Sequence, residues 1–297
     1  MVQGKGMKIL ANVILTIMAV VAILPIILLL IGSFTDNATA LAEGFSYTPS
    51  KLSIEAYRYI VTSWATVGRG YINTILVTAV GTVISLIVTA MFGYGITVKG
   101  LPGGRVIMIM LVISMLFSGG IVAQYFVYTN IINVKDSFFA LIVPNFVMNA
   151  FNVILVSNYF RNNISGEILE AARIDGASEF RVFWKILLPL SVPILATIGI
   201  MTAIGYWNDW NNGLYYLSSR DGSRYFTIQL ILNQIANQVQ FLASEAAKMG
   251  VTLDTRSMPT TTVRMAIAFV GILPILIAYP FFQKYFVKGI SVGGVKG

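Results

Sequence analysis

One polar stretch interrupts two long apolar segments of the chain: Ser165-Gly-Glu-Ile-Leu-Glu-Ala-Ala-Arg-Ile-Asp-Gly176-Ala-Ser-Glu-Phe-Arg-Val-Phe-Trp-Lys-Ile-Leu-Leu-Pro189. The pattern predicts a helix, a glycine break and a second helix. Ser165 and Ser178 can cap the N-termini of the two helices, because a serine hydroxyl accepts a free backbone N–H of the first turn. Gly176 can supply the left-handed residue that ends the first helix. Two interpretations remain open: a helical pair that docks into a groove on a partner, and an interfacial connector between two membrane spans.

The composition around this stretch is that of a membrane protein. Of the 297 residues, 57% are hydrophobic and 11% are charged, whereas soluble domains carry about 25% charged residues. The net charge of +8 favours basic cytoplasmic loops over nucleic-acid binding. The chain has no cysteine and no histidine, which excludes thiolate chemistry, disulfides and the commonest general base. We expect no metal site and no catalytic residues.

Six uncharged windows are long enough to cross a bilayer, which takes about 20 mostly apolar residues. They cover approximately residues 9–31, 71–97, 106–130, 137–160, 187–208 and 265–283. We therefore predict an all-α membrane protein with six transmembrane helices and a single transmembrane domain over 1–297. A break or kink is expected near Pro25 in the first helix.

The remaining segments predict the orientation. The N-terminal tail, the 99–105 turn and the C-terminal tail are basic and contain no acidic residue, which favours both termini inside the cell. The loop 161–185 is then cytoplasmic, and the loops 36–69 and 210–263 are extracellular. A seventh uncharged window, 225–244, contains too many Asn and Gln residues to face lipid. Its apolar residues recur at helical spacing, so we predict an amphipathic helix packed on partner subunits or on the chain's own outer surface.

The spacing within the polar stretch matches a known signature. The residues that carry it are Glu170, Ala171, Ala172, Gly176, Ile186, Leu188 and Pro189. This is the pattern of the signature loop of ABC importer permeases. The C-terminal run Phe282–Gly297 and the sequence Trp207-Asn208-Asp209 resemble the maltose-type branch. Over essentially its whole length the chain resembles the maltose-type (MalG-like) carbohydrate permease family.

This resemblance implies a type I ABC importer permease in the bacterial plasma membrane. Such a subunit forms half of the translocation pathway and pairs with a second, homologous permease. Two cytoplasmic ATPase subunits and an extracellular solute-binding protein complete the complex. The resemblance also implies roles for two groups of residues. Glu170, Ala171, Ala172, Asp175 and Gly176 would sit in a cleft of the ATPase, and Gly294, Val295, Lys296 and Gly297 would reach towards the ATPase dimer.

The chain's own chemistry agrees with an energy source in another subunit. It contains no phosphate-binding loop of the ATPase type, so we expect no ATP hydrolysis and no bound cofactor, with ATP and Mg used by the partner ATPase. The six windows contain no Asp, Glu, Lys or Arg, which argues against a proton-coupled transporter. Sodium coupling through neutral oxygens stays open. A membrane enzyme is disfavoured because the carboxylates are confined to loops.

Two groups of side chains are candidates for the path of an oligosaccharide substrate. Asn145, Asn149 and Asn152 have the i, i+4, i+7 spacing of one helix face within the fourth window, with Phe146, Tyr125 and Tyr128 as candidate aromatic platforms. The alternative is that the asparagines join helices by hydrogen bonds. The second group, Trp207, Asn208, Asp209 and Trp210, lies at the predicted outer mouth. It could equally form an interfacial aromatic belt. The sequence does not identify the sugar.

Overall fold

The computed structural model describes residues 5–98, 100–144, 146–249 and 261–294, and their backbone is helical or irregular. In these ranges one isolated bridge, between Thr35 and Leu52, is the extent of β-pairing. The helices are α1 (Lys5–Ser33), α2 (Asn37–Glu43), α3 (Glu55–Thr62), α4 (Trp64–Thr97), α5 (Gly104–Leu116), α6 (Gly120–Phe126), α7 (Ala150–Asn163), α8 (Gly166–Ile174), α9 (Glu179–Val182), α10 (Leu188–Leu190), α11 (Val192–Asn208), α12 (Asn211–Tyr216), α13 (Ile228–Met249) and α14 (Thr261–Gly294). Short π-helical turns follow α6 and α9, at Val127–Ile131 and Phe183–Leu187, and 3-10 turns occur at Phe138–Leu141 and Ser223–Tyr225.

Two of the described helices are long and apolar enough to cross a membrane by themselves, Gly6–Ser33 within α1 and Trp64–Thr97, which is α4. The helical run Glu179–Leu190 together with Val192–Asn208 makes a third if this pair, bent by 81°, is one span. The count of six spans therefore stays a prediction. Pro25 lies inside α1 without ending the helix.

Three predicted windows are not single helices. The fifth is interrupted at Ser191, between α10 and α11. In the third window, α5 ends at Leu116 because Phe117 is extended, and α6 begins only at Gly120. In the fourth, the described residues 142–144 and 146–149 lie outside any helix. Pro144 falls in this irregular part, where its missing N–H cannot support a helix.

The chain divides into two compact units. The first comprises the described parts of Met1–Gly68 and Ile231–Pro274. Here the Ser33 and Tyr57 hydroxyls lie 2.7 Å apart, and Lys51 pairs with Asp36 at 3.3 Å. These contacts hold the C-terminal end of α1 against the segment that follows it.

The second unit comprises the described parts of Arg69–Leu230 and Ile275–Gly297, and it contains α4 from Arg69 onward. Two glycines let neighbouring side chains approach the α4 backbone closely. A Cβ on Gly81 would lie 2.6 Å from Cζ of Tyr206, and a Cβ on Gly93 would lie 3.1 Å from Cγ1 of Val156. The single domain predicted from the sequence remains a prediction.

The amphipathic helix predicted over 225–244 is present as α13. Ile228 and Ile231 are buried, whereas Asn237 and Gln238 are exposed. The buried residues lie in the first turn of the helix and the exposed ones lie two turns further along.

Candidate functional site

The polar stretch 165–189 folds as its sequence predicts at both helix starts and at the glycine break. The Ser165 hydroxyl accepts the Glu167 N–H at 3.3 Å, and the Ser178 hydroxyl accepts the Arg181 N–H at 3.3 Å. Gly176 has φ +80°, the left-handed conformation that glycine adopts without steric cost. We call residues 165–190 the helical pair.

A Schellman motif ends the first helix of the pair. The Gly176 N–H donates to the Arg173 carbonyl and the Ala177 N–H donates to the Ala172 carbonyl, each at 3.0 Å. These are the two hydrogen bonds that define the motif. The turn between the helices is therefore built by local backbone bonds around one residue of positive φ.

The second helix of the pair passes through α9, the π-helical turn and α10, and it bends by 81° into α11. The bend is at Ser191, whose hydroxyl donates to the Leu187 carbonyl at 2.6 Å. Pro189 and Pro193 flank it, and each lacks the N–H that a straight helix would need. The prolines thus account for the change of direction.

Three side chains from three elements meet where the helical pair approaches the end of α4. Arg173 Nε donates to Glu179 Oε1 at 2.6 Å, and Arg173 Nη2 donates to the Tyr94 hydroxyl oxygen at 3.1 Å. The Tyr94 hydroxyl donates to Glu179 Oε2. The hydrogen bonds from Arg173, and then that from Tyr94, hold the pKa of the Glu179 carboxyl below its ordinary value. We call these three residues the tyrosine triangle.

The helical pair has an inner and an outer face. Leu169, Ala172 and Ala177 pack against a core cluster that includes Val182 and Phe183. The outer face exposes large apolar side chains, namely Ile168, Ile174 and Phe180, and Ile174 is 86% exposed. A soluble surface rarely leaves such residues together without a partner.

The five residues assigned to ATPase contact divide between these faces. Glu170, Ala171, Asp175 and Gly176 are exposed, whereas Ala172 is half-buried against the core. Of the C-terminal residues assigned to the same partner, Gly294 ends α14. Val295, Lys296 and Gly297 lie outside the described residues.

The structure describes two of the three asparagines of the fourth window, Asn149 and Asn152. Asn149 caps α7, because its side-chain oxygen accepts the Asn152 N–H at 3.2 Å. Asn152 lies half-buried in the first turn of α7. Asn145 lies outside the described residues. The predicted helix face therefore does not hold for Asn149 and Asn152, because α7 begins only after Asn149.

Side chains from distant elements bind the described residues of the irregular segment, 142–144 and 146–149. The Ile142 carbonyl accepts the Tyr206 hydroxyl at 2.9 Å, and the Pro144 carbonyl accepts Asn212 Nδ2 at 3.0 Å. The Phe146 carbonyl accepts the Ser85 hydroxyl at 2.8 Å. Buried backbone groups outside a helix must find such partners, because no neighbouring turn supplies them. Sequence reasoning missed Ser85, Tyr206 and Asn212; the proline inside an apolar window was the available signal.

The four residues at the predicted outer mouth do not share one exposed patch. Asn208 is exposed and Trp210 is half-exposed, but Trp207 and Asp209 are buried. Asp209 Oδ1 accepts the N–H groups of Asn211 and Asn212 at 3.1 and 3.3 Å. Burial raises the pKa of Asp209 to about 6, against the lowering effect of these two hydrogen bonds. Asp209 thus helps to hold the turn between α11 and α12.

The candidate aromatic platforms are partly covered by other rings of the chain. Tyr125 stacks on Tyr216 with ring centroids 5.9 Å apart, and Tyr128 meets the same ring edge-on at 5.8 Å. Phe146 packs on Tyr206 at 4.9 Å. Tyr125 nevertheless remains 36% exposed, so one platform is accessible.

Comparison with known proteins places this geometry in context. The family model described as "Binding-protein-dependent transport system inner membrane component" matches residues 98–292. The polygalacturonan/rhamnogalacturonan transport system permease protein YtcP of Bacillus subtilis is 35% identical over 283 residues, which is 95% of this chain and 96% of the relative. The arabinooligosaccharides transport system permease protein AraQ of Halalkalibacterium halodurans is 28% identical, over 94% of this chain and 93% of the relative. One similar solved structure is that of a bacterial ABC transporter involved in the import of the acidic polysaccharide alginate. One chain of that structure superposes on this chain with a TM-score of 0.78 and is 30% identical in sequence. The match covers 96% of this chain and 99% of that chain.

Proposed function

We propose that this chain, which belongs to the family of inner membrane components of binding-protein-dependent transport systems, is a permease subunit of an ATP-driven carbohydrate importer. The relatives that it matches over nearly their whole length are sugar transport permeases. The substrate class that fits them best is an oligosaccharide. The chain would supply half of the translocation pathway and no ATPase site of its own.

The proposed complex contains four further subunits. A second homologous permease completes the pathway, two ATPase subunits bind ATP and Mg, and an extracellular solute-binding protein delivers the sugar. The chain would lie in the bacterial plasma membrane with six spans and both termini inside. It would fold as one permease domain and bind no cofactor.

The observation that carries this proposal is the helical pair. It offers an outer face with exposed apolar and acidic side chains, while its inner face is packed into the core of its own unit. A movement of a partner bound to the outer face would therefore be passed to the packed inner face. Glu170, Ala171, Asp175 and Gly176 are the residues we assign to the ATPase contact, with Ala172 supporting them from below.

A pair of proline substitutions tests this assignment. At Gly176 the backbone φ is +80°, whereas proline requires about −65°. Gly176→Pro should therefore disrupt the turn between the two helices and abolish ATP-driven uptake. Gly166 is the first residue of α8 and follows an extended Ser165, a position that accepts proline. Gly166→Pro is therefore the matched control and should keep uptake.

The measurement is sugar uptake and ATPase activity in proteoliposomes that contain the complete complex. A panel of acidic uronide oligosaccharides and neutral arabinose oligosaccharides, bound first to the solute-binding protein, identifies the substrate. Normal uptake by Gly176→Pro would contradict the role of the helical pair. Uptake without ATP, or no uptake of any member of the panel, would contradict the proposed function.

For the substrate path we propose the accessible residues Asn149, Asn152, Asn208 and Trp210, with the buried Trp207 and Asp209 in supporting positions. The sequence-based candidate Asn145, which lies outside the described residues, belongs to the same proposal. Asn152→Ala should lower uptake without lowering the amount of subunit in the membrane. Asn149→Ala should lower both, because it removes the cap of α7 at a cost of about 1 kcal/mol. Equal loss of protein in both variants would favour joining of helices over contact with sugar.

A further inference from the structure

The tyrosine triangle connects the helical pair to α4. The Tyr94 hydroxyl bonds to one residue of each helix of the pair, Arg173 at the end of the first and Glu179 at the start of the second. Arg173 and Glu179 also bond to each other. All three members are therefore held by the other two.

The three residues of the tyrosine triangle differ in how far their side chains are exposed, and this difference shows which residue fixes the geometry. The side chains of Arg173 and Glu179 are 36% and 56% exposed, and an exposed ion pair by itself stabilises a protein little. Tyr94 is only 8% exposed, and its ring packs 5.8 Å from that of Phe183. The buried tyrosine thus gives the exposed pair a fixed point on α4.

The helix that carries Tyr94 is continuous and contains no proline over its 34 residues. From Asn73 to Tyr94 it extends about 31 Å, at 1.5 Å per residue. Asn73 Nδ2 donates to the carbonyls of Arg224 and Phe226 at 2.8 and 3.0 Å. The neighbouring Thr74 hydroxyl accepts the Ile228 N–H at 3.0 Å. Side-chain hydrogen bonds therefore hold both ends of this helix segment.

We propose that the tyrosine triangle is a positioning contact that makes α4 move with the helical pair, so that α4 carries this movement to residues 224–228 at its other end. The proposal rests on the proposed function, because it takes a partner ATPase as the source of the movement. The apolar packing beneath the pair is non-directional and allows helices to slide. Hydrogen bonds among three groups depend on angle and distance, and they oppose such sliding.

The test removes one hydroxyl. Tyr94→Phe keeps the ring and its packing on Phe183 but loses both bonds to the pair. Sugar transported per ATP hydrolysed, measured in proteoliposomes, should fall by about fivefold or more, while the complex still assembles and hydrolyses ATP. The matched control is Tyr159→Phe, since Tyr159 packs partly buried against the same core cluster. Its ratio should equal that of the wild type.

A second variant approaches the triangle from its exposed side. Arg173→Gln removes the bonds to Glu179 and Tyr94 without disturbing buried packing. Arg173→Lys keeps a cation at the same place, so its ratio of sugar transported to ATP hydrolysed should lie between those of Arg173→Gln and the wild type. The double variant Tyr94→Phe/Arg173→Gln should lose no more than the stronger single variant, because both break one unit.

The outcomes separate this proposal from the proposed function. A wild-type complex that does not couple ATP to sugar uptake overturns the proposed function. A working wild type with an unchanged ratio in Tyr94→Phe overturns the role of the triangle and leaves the proposed function intact. If Tyr94→Phe fails to assemble, the exposed Arg173→Gln variant decides, and an unchanged ratio there also overturns the role.

Discussion

The hydroxyl of Tyr206 offers a sharp test of how the irregular segment is held. Tyr206 is 1% exposed and donates to the Ile142 carbonyl at 2.9 Å. Tyr206→Phe deletes this donor and keeps the ring that packs on Phe146. We expect a less stable protein with the same fold.

The size of the effect follows from the surroundings of the carbonyl. A typical hydrogen bond between membrane helices is worth about 0.6 kcal/mol, because the separated groups find other partners. A buried group left without a partner costs about 1–3 kcal/mol. Ile142 is fully buried in non-helical backbone, so the second figure applies, and we expect a loss of about 1–2 kcal/mol.

The assay is thermal unfolding of the purified protein in detergent. At roughly 2–4 °C per kcal/mol for domains of more than 150 residues, Tm should fall by roughly 2–8 °C. The control is Tyr215→Phe, which removes a tyrosine hydroxyl from an exposed residue and should leave Tm unchanged. An unchanged Tm in Tyr206→Phe, or an equal fall in both variants, would refute the reasoning.

Three further predictions concern other parts of the same unit. Gly81→Ala should lower Tm, because the added Cβ would lie 2.6 Å from the Tyr206 ring and overpacking costs about 1–3 kcal/mol. The control Gly95→Ala adds a Cβ to open space on the same helix and should leave Tm unchanged. Burial raises the pKa of Asp209 to about 6, so the folded protein favours the neutral acid and Tm should fall as the pH rises from 4 to 6. In the variant Asp209→Asn, Tm should no longer show this fall between pH 4 and pH 6. An equal dependence of Tm on pH in the variant and the wild type would refute the reasoning. Ser165→Ala should weaken the start of α8 by about 1 kcal/mol and lower the affinity of the subunit for the ATPase in a pull-down titration, whereas unchanged affinity would show that the cap is dispensable.

The helical pair could be predicted in detail because its structure is local. A serine at each helix start and one glycine between the helices are enough to specify two caps and a left-handed turn. The neighbouring residues satisfy these groups themselves, so no information from distant parts of the chain is needed. The resemblance to a family rests on the same short stretch.

The irregular segment 142–149 could not be predicted in the same way. Counting charges finds an uncharged window, and asparagine spacing then indicates a helix face. The backbone is non-helical because Ser85, Tyr206 and Asn212 supply donors from far along the sequence. The role of Asp209 in the turn between α11 and α12 was missed for a related reason, since the sequence alone does not show that its carboxylate is buried.

The three residues that donate hydrogen bonds to this segment are synthesised at different times relative to it. Ser85 precedes the segment in synthesis, but Tyr206 and Asn212 follow their acceptors by 64 and 68 residues. At about 5–20 residues per second, two carbonyls therefore wait for several seconds before their partners leave the ribosome. During that interval the segment must stay hydrated or within the insertion machinery. Slower translation between residues 150 and 212 would prolong this stage.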